Sequence, residues 1–141
     1  MRLHLNFSRR ILVIYFHTNI SRMKKIFHLG SCSTNQRILK ELAPYTSHFD
    51  FKDIKLEKIT AKELDEMKKR AGSYEALFSR VALKYRSLGL NNMELTEDDY
   101  KKYILEEYTF LRRPVIVNGN AIFIGNAKSN VAAALNSLSN L

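Results

Sequence analysis

Cys32 is the only cysteine in the chain, and three polar residues, Ser33, Thr34 and Asn35, follow it directly. Beyond them the apolar residues Ile38, Leu39 and Leu42 recur at helical spacing. Before it, Lys24 to His28 reads as a short strand. Leu29 to Ser31 reads as a turn in which Gly30 is free to take unusual backbone angles. Cys32 is therefore predicted where a loop becomes the first turn of a helix. Unpaired N–H groups and the positive end of the helix dipole meet there, and both favour a thiolate over a thiol. A thiolate so placed is a nucleophile. Ser33, Thr34 and Asn35 offer polar groups that steady it by hydrogen bonds. A small buried structural cysteine is the plainer alternative, and the strand–turn–Cys–helix order argues against it. His28 and His48 are not predicted to bind metal, because no Cys, His or Asp cluster has ligand spacing.

Positioning such a group takes a sheet and its helices. Ser33 to Ala43 is predicted as the first helix, ended by Pro44 and the polar residues after it. His48 to Ile54 reads as a second strand, with Phe49, Phe51 and Asp53 on one face and Asp50 and Lys52 on the other. Thr60 caps a charged helix to Ala71, Glu63 completes a capping box, and Gly72 stops it. Ser73 is predicted to cap a second short helix to about Val81, with Tyr74, Leu77, Phe78 and Val81 sharing a face. Leu83, Tyr85, Leu88 and Leu90 continue the apolar anchoring through a turn at Gly89. Thr96 caps a helix to about Tyr108, with Asp98 and Asp99 near the positive dipole end. Its Tyr100, Tyr103, Ile104 and Tyr108 read as packing rather than as a base-stacking platform. Val115 to Asn118 and Ala121 to Ile124 are two strands joined by the tight-hairpin signal Asn118-Gly119-Asn120. Lys128 to Leu138 is a terminal helix with Val131, Ala134, Leu135 and Leu138 on one face. The predicted order is β-α-β, a block of helices, then β-β-α, an α/β chain.

The chain of 141 residues suits one domain with one core. A single cysteine excludes an internal disulfide framework and suits a reducing, cytoplasmic setting. No apolar run reaches the roughly 18 residues of a membrane helix. The formal charge is +9, of which Arg2, Arg9, Arg10 and Arg22 supply +4 with no acid among residues 1–22. The remaining +5 comes from lysines and arginines interleaved with Asp and Glu, as on solvated helix faces. A simple nucleic-acid patch is thereby disfavoured, and an anion-binding site is compatible with the balance. Residues 1–22 hold a short apolar run, Ile11 to Phe16, without a cleavage pattern before Met23. They read as a poorly packed upstream extension, for which a mis-chosen start codon is one origin.

Two stretches together resemble a known family. Met23 to Leu42 resembles the cysteine loop of arsenate reductases of the thioredoxin-like fold, and of their relatives the Spx-type regulators: strand, short loop, Cys-x-x-(Cys or Ser), helix. Leu111-Arg112-Arg113-Pro114 and the strands to Gly125 match the family's arginine–proline pair, strand, turn and last strand. The resemblance covers about Met23 to Leu141. It implies a thioredoxin-like domain over residues 23–141 with a helical insertion.

The resemblance also implies a chemistry. In the reductases the cysteine thiolate attacks an oxyanion, and glutathione or another thiol, such as a thioredoxin-type reductant, resolves the adduct. Three arginines surround the cysteine there. Arg113 matches the one before the proline. The one on the insertion falls at Ser79 or Arg80, depending on a one-residue shift. The third falls at Asn126, which carries no charge. Pro114 matches a proline that is cis and faces the cysteine. Asn35 stands where dithiol relatives carry the resolving cysteine, so a redox cycle needs an external thiol, as in a monothiol glutaredoxin. The first expectation is a monomeric cytoplasmic oxidoreductase with no bound cofactor, acting on a small oxyanion or thiol, with a redox protein as partner. The second is an Spx-like regulator that contacts RNA polymerase. The third is a family member without arsenate activity, which the loss at Asn126 favours.

Overall fold

The computed structural model describes residues 23–140. The extension predicted for residues 1–22 lies outside them. Four strands form one sheet: β1 (Lys24–His28), β2 (Asp50–Asp53), β3 (Val115–Asn118) and β4 (Ala121–Ile124). Their order is β2-β1-β3-β4, with β2 parallel to β1 and the other pairs antiparallel. The helices are α1 (Ser33–Leu42), α2 (Ala61–Ala71), α3 (Leu83–Ser87), α4 (Glu97–Glu106) and α5 (Lys128–Ser139).

Strand alternation divides the core into two layers. Ile26 and Ile116, paired across β1 and β3, face one side. They pack with Ile38 and Leu42 of α1 and with Val131, Ala134 and Leu138 of α5. Phe27, Val115 and Val117 face the other side, against Leu64 and Met67 of α2 and Tyr100 and Ile104 of α4. The sheet is thus covered on both faces, as its parallel pair requires.

Most predicted elements are present. The Thr60–Glu63 capping box is formed, and Gly72 closes α2 with φ 92°. Thr96 and Asp99 make a second box at the start of α4. Gly119, at φ 63°, turns the β3–β4 hairpin. Three readings need correction. First, the helix expected from Ser73 to Val81 is only a 3-10 turn, Glu75–Leu77. After it the chain extends and pairs with residues 110–112: Phe78 bridges Leu111, Ser79 N–H donates to Phe110 O at 2.7 Å, and Arg112 N–H donates to Leu77 O at 2.8 Å. Pairing satisfies backbone groups that a helix would have used internally. Val81, expected on the apolar face, is 92% exposed, and Leu83 is 91% exposed, so neither anchors the core. Second, Gly30 is not among the glycines with positive φ. A Cβ there would collide with the Asp53 carboxylate, which accepts the Gly30 N–H at 3.1 Å. A side chain there would displace the Asp53 carboxylate from the Gly30 N–H, so close approach rather than backbone angle favours glycine.

Third, β2 buries Lys52 and exposes Phe51, the reverse of the polarity expected. The cause is a counter-charge. Lys52 Nζ lies 2.8 Å from Glu63 Oε2, and Lys25 Nζ lies 2.8 Å from Oε1. Burial acts to raise the Glu63 pKa, but hydrogen bonds from Lys25, Lys52 and the Thr60 N–H outweigh it and lower it from 4.5 to about 2. The folded-state value lies below the ordinary one. The stabilisation is therefore complete above the ordinary carboxylate value and is lost as pH falls toward about 2. Glu63→Gln is expected to cost about 3 kcal/mol at neutral pH. Denaturant titrations of both proteins should show this gap closing toward the acid end.

Candidate functional site

Cys32 is the N-cap of α1, with extended backbone at φ −92° and ψ 116°. Its N–H donates to Leu29 O at 3.0 Å, which closes the turn after β1. Its carbonyl accepts from Gln36 N–H at 3.0 Å, the first bond of the helix. The first-turn N–H groups have no intrahelical acceptor, although the thiol itself makes no capping hydrogen bond to them. Cys32 is half-buried, so its sulfur is both held and reachable.

Asn35 takes the most specific role of the three polar neighbours. It is buried, and its Nδ2 donates to Cys32 Sγ at 3.6 Å while its Oδ1 accepts Leu29 N–H at 3.0 Å. One side chain thus ties the sulfur to the turn that precedes it. Ser33 is exposed and Thr34 half-buried, and neither lines the cavity at Sγ.

That cavity has a volume of about 140 Å³ and is lined by Cys32, Asn35, Ser79, Val81, Leu111, Arg112, Arg113, Gly125 and Asn126. It is small beside the roughly 300–1,000 Å³ of drug-sized sites and suits a compact ligand. Four chain segments meet there, three of them held by the sheet and its ends. The β1–β3 ladder pairs Phe27 with Val115, which sets the end of β1 beside the start of β3. The Arg113–Pro114 peptide bond is cis, and Pro114 O accepts the Gly125 N–H at 2.9 Å. Asn130 of α5 fixes the end of β4, accepting from Ile124 N–H at 3.2 Å and donating to Gly125 O at 2.8 Å.

Arg113 is half-buried. Its Nη1 donates to Thr109 O at 3.2 Å and Leu111 O at 3.3 Å. Its Nε is one of two buried side-chain atoms without a partner among the described residues, the other being His28 Nδ1. Arg113 lines the same cavity as Cys32, and a buried donor without a partner carries a cost that a hydrogen-bonding anion relieves. Asn126 is exposed at the rim and offers an amide.

Arg80 is not brought in. Its Nη2 donates to Glu75 Oε1 at 2.7 Å and to Tyr100 OH at 3.0 Å, outside the cavity. The Glu75 carboxylate, its leading partner, pushes its pKa further up. The one-residue alternative, Ser79, lines the cavity instead, because the bridge at Phe78 makes the segment extended. Arg112 also lines the cavity and was not singled out from the sequence. The only signal for it was its place beside Arg113. No three His, Cys, Asp or Glu side chains gather to hold a metal among the described residues. Nor is any helix among them long and apolar enough to cross a membrane.

With the Asn35 donor removed, the thiolate loses one weak hydrogen bond. Asn35→Ala should slow alkylation of Cys32 at neutral pH by about threefold, equivalent to ~0.7 kcal/mol. Timed reaction with iodoacetamide would measure this.

The sequence pattern of the ArsC family matches residues 27–134. No curated protein matches the chain's sequence. Among solved structures, an arsenate reductase from Vibrio cholerae superposes with a TM-score of 0.68 at 18% identity, over 80% of this chain and 98% of its own. A proposed arsenate reductase from Yersinia pestis gives 0.67 at 19% identity, over 78% and 98%. An arsenate reductase-related protein from Brucella melitensis gives 0.59 at 22% identity, over 80% and 94%. These likenesses establish the thioredoxin-like fold expected from the sequence.

Proposed function

The chain belongs to the ArsC family, and from that premise we propose that it is a thiol-dependent oxidoreductase of small oxyanions. Cys32 is the nucleophile and Arg113 the anion holder. The observation that carries this reading is the shared cavity of Cys32, Arg113 and Asn126. In the proposed reaction the Cys32 thiolate attacks the central atom of arsenate and displaces one oxygen, which leaves as water. An external thiol, glutathione or a thioredoxin-type reductant, then attacks the adduct. The two sulfurs end as a mixed disulfide, and their two electrons reduce arsenic(V) to arsenic(III). An outside thiol is required because the chain has one cysteine and Asn35 stands at the alternative position. The protein would work as a monomer in the cytoplasm, where thiols stay reduced.

A specific observation favours a second reading. Val81 and Leu83 are 92% and 91% exposed, and Val81 borders the Cys32 cavity. Apolar surface at that place suits a protein partner, as an Spx-like contact with RNA polymerase would need. Co-purification of polymerase subunits would support it.

Arsenate reduction with glutathione or a thioredoxin system is the deciding assay. Activity should be present and Cys32→Ser should abolish it. Arg113→Ala should weaken protection of Cys32 from alkylation by arsenate. Asn126→Arg should raise the rate about tenfold, corresponding to about 1.4 kcal/mol. No turnover by the unsubstituted protein, with intact protection absent as well, would remove the oxyanion reading and favour the regulatory one.

A further inference from the structure

We infer that Arg112 is the second cation of the Cys32 cavity, so that Arg112 and Arg113 together clamp a doubly charged tetrahedral oxyanion. The inference rests on the oxyanion reading and adds a residue to it. Asn126 leaves the far rim of the cavity without a charge. Arg112, in the segment that leads into β3, lies against Gly125 next to that rim. A Cβ built on Gly125 would meet Arg112 Nη2 at 3.2 Å, Nε at 3.5 Å and Cζ at 3.6 Å. The guanidinium therefore lies flat against Gly125, the residue before Asn126. Gly125 has φ 90°, and the space it leaves is what the guanidinium fills.

Two further facts point to a ligand. Among the described residues Arg112 makes no ion pair with a carboxylate. Its one side-chain hydrogen bond runs from Nη1 to Ala76 O at 3.3 Å, which orients the group and leaves donors free. Its backbone is pinned by the bond to Leu77 O, so the side chain starts from a fixed point. A planar fork of donors held this way suits two oxygens of one anion. Arg113, whose Nε is buried and unpaired, lines the same cavity, so two positive residues share it with Cys32. Such a pair discriminates by charge: at the same distances both cations attract a dianion about twice as strongly as a monoanion.

The test is protection of Cys32 from alkylation by arsenate or sulfate, with nitrate at equal ionic strength as the monoanion control. In the unsubstituted protein the dianions should protect and nitrate should not. Arg112→Gln should raise the half-protecting arsenate concentration about tenfold with an unchanged thermal midpoint, and Arg112→Lys should recover part of the loss. A half-protecting concentration within about twofold of the unsubstituted value would overturn the inference and leave the oxyanion reading standing on Arg113. A fall in thermal midpoint with no recovery in Arg112→Lys would make Arg112 structural and overturn it as well. If arsenate and sulfate fail to protect the unsubstituted protein, the inference and the oxyanion reading fall together.

Discussion

The antiparallel ladder between β1 and β3 is the constraint from which the site follows. Lys24 pairs with Asn118 and Phe27 with Val115, so the chain leaving β1 emerges where the chain entering β3 arrives. The residues leaving are Leu29 to Cys32, and those arriving are Arg112 to Pro114. Some eighty residues separate them in sequence, yet one register sets them side by side. A slip of one residue would turn every side chain to the opposite layer. Ile26 and Ile116 would then lose α1 and α5, and Phe27 would lose α2 and α4. Burial on both faces therefore defends the register, and the register defends the geometry at Cys32.

The helical insertion contributes through a much smaller contact. A single bridge, Phe78 to Leu111, with its flanking backbone bonds, joins the insertion to the segment that precedes Pro114. Aromatic packing reinforces it, since Phe78 stacks on Phe110 at 5.0 Å and tilts against Tyr100 at 4.9 Å. This join places Ser79 and Val81 on the cavity and pins the backbone of Arg112. The scaffold of the arginines is thus built from the insertion, while that of the cysteine is built from the sheet and α1.

Charge is handled differently in the two halves of the molecule. Away from the site, Lys25 and Lys52 converge on Glu63, and the acid is held ionised by its partners. Arg80 is likewise committed to Glu75. At the site, the guanidinium groups of Arg112 and Arg113 are oriented by backbone carbonyls, which fix direction without cancelling charge. The distinction separates cations that stabilise the fold from cations that remain available to a ligand.

The residues alone determined a good deal. Helix starts at Thr60 and Thr96, the hairpin at Gly119, and the Cys32 turn are local, and local chemistry is legible in a window of a few residues. The Cys32 loop and the Arg113–Pro114 pair could be matched to a family because each motif is contiguous. What only the tertiary structure decided involves partners distant in sequence. Lys52 is buried because Glu63 comes from another element, and glycine suits position 30 because the Asp53 carboxylate approaches it. Phe78 and Ser79 are extended because Phe110 to Arg112 offers a backbone to pair with, although the pattern around them reads as a helix. That pairing sends Arg80 to Glu75 and brings Arg112 to the cavity. Helical spacing cannot report such a choice, since it depends on which distant chain satisfies the same N–H and C=O groups.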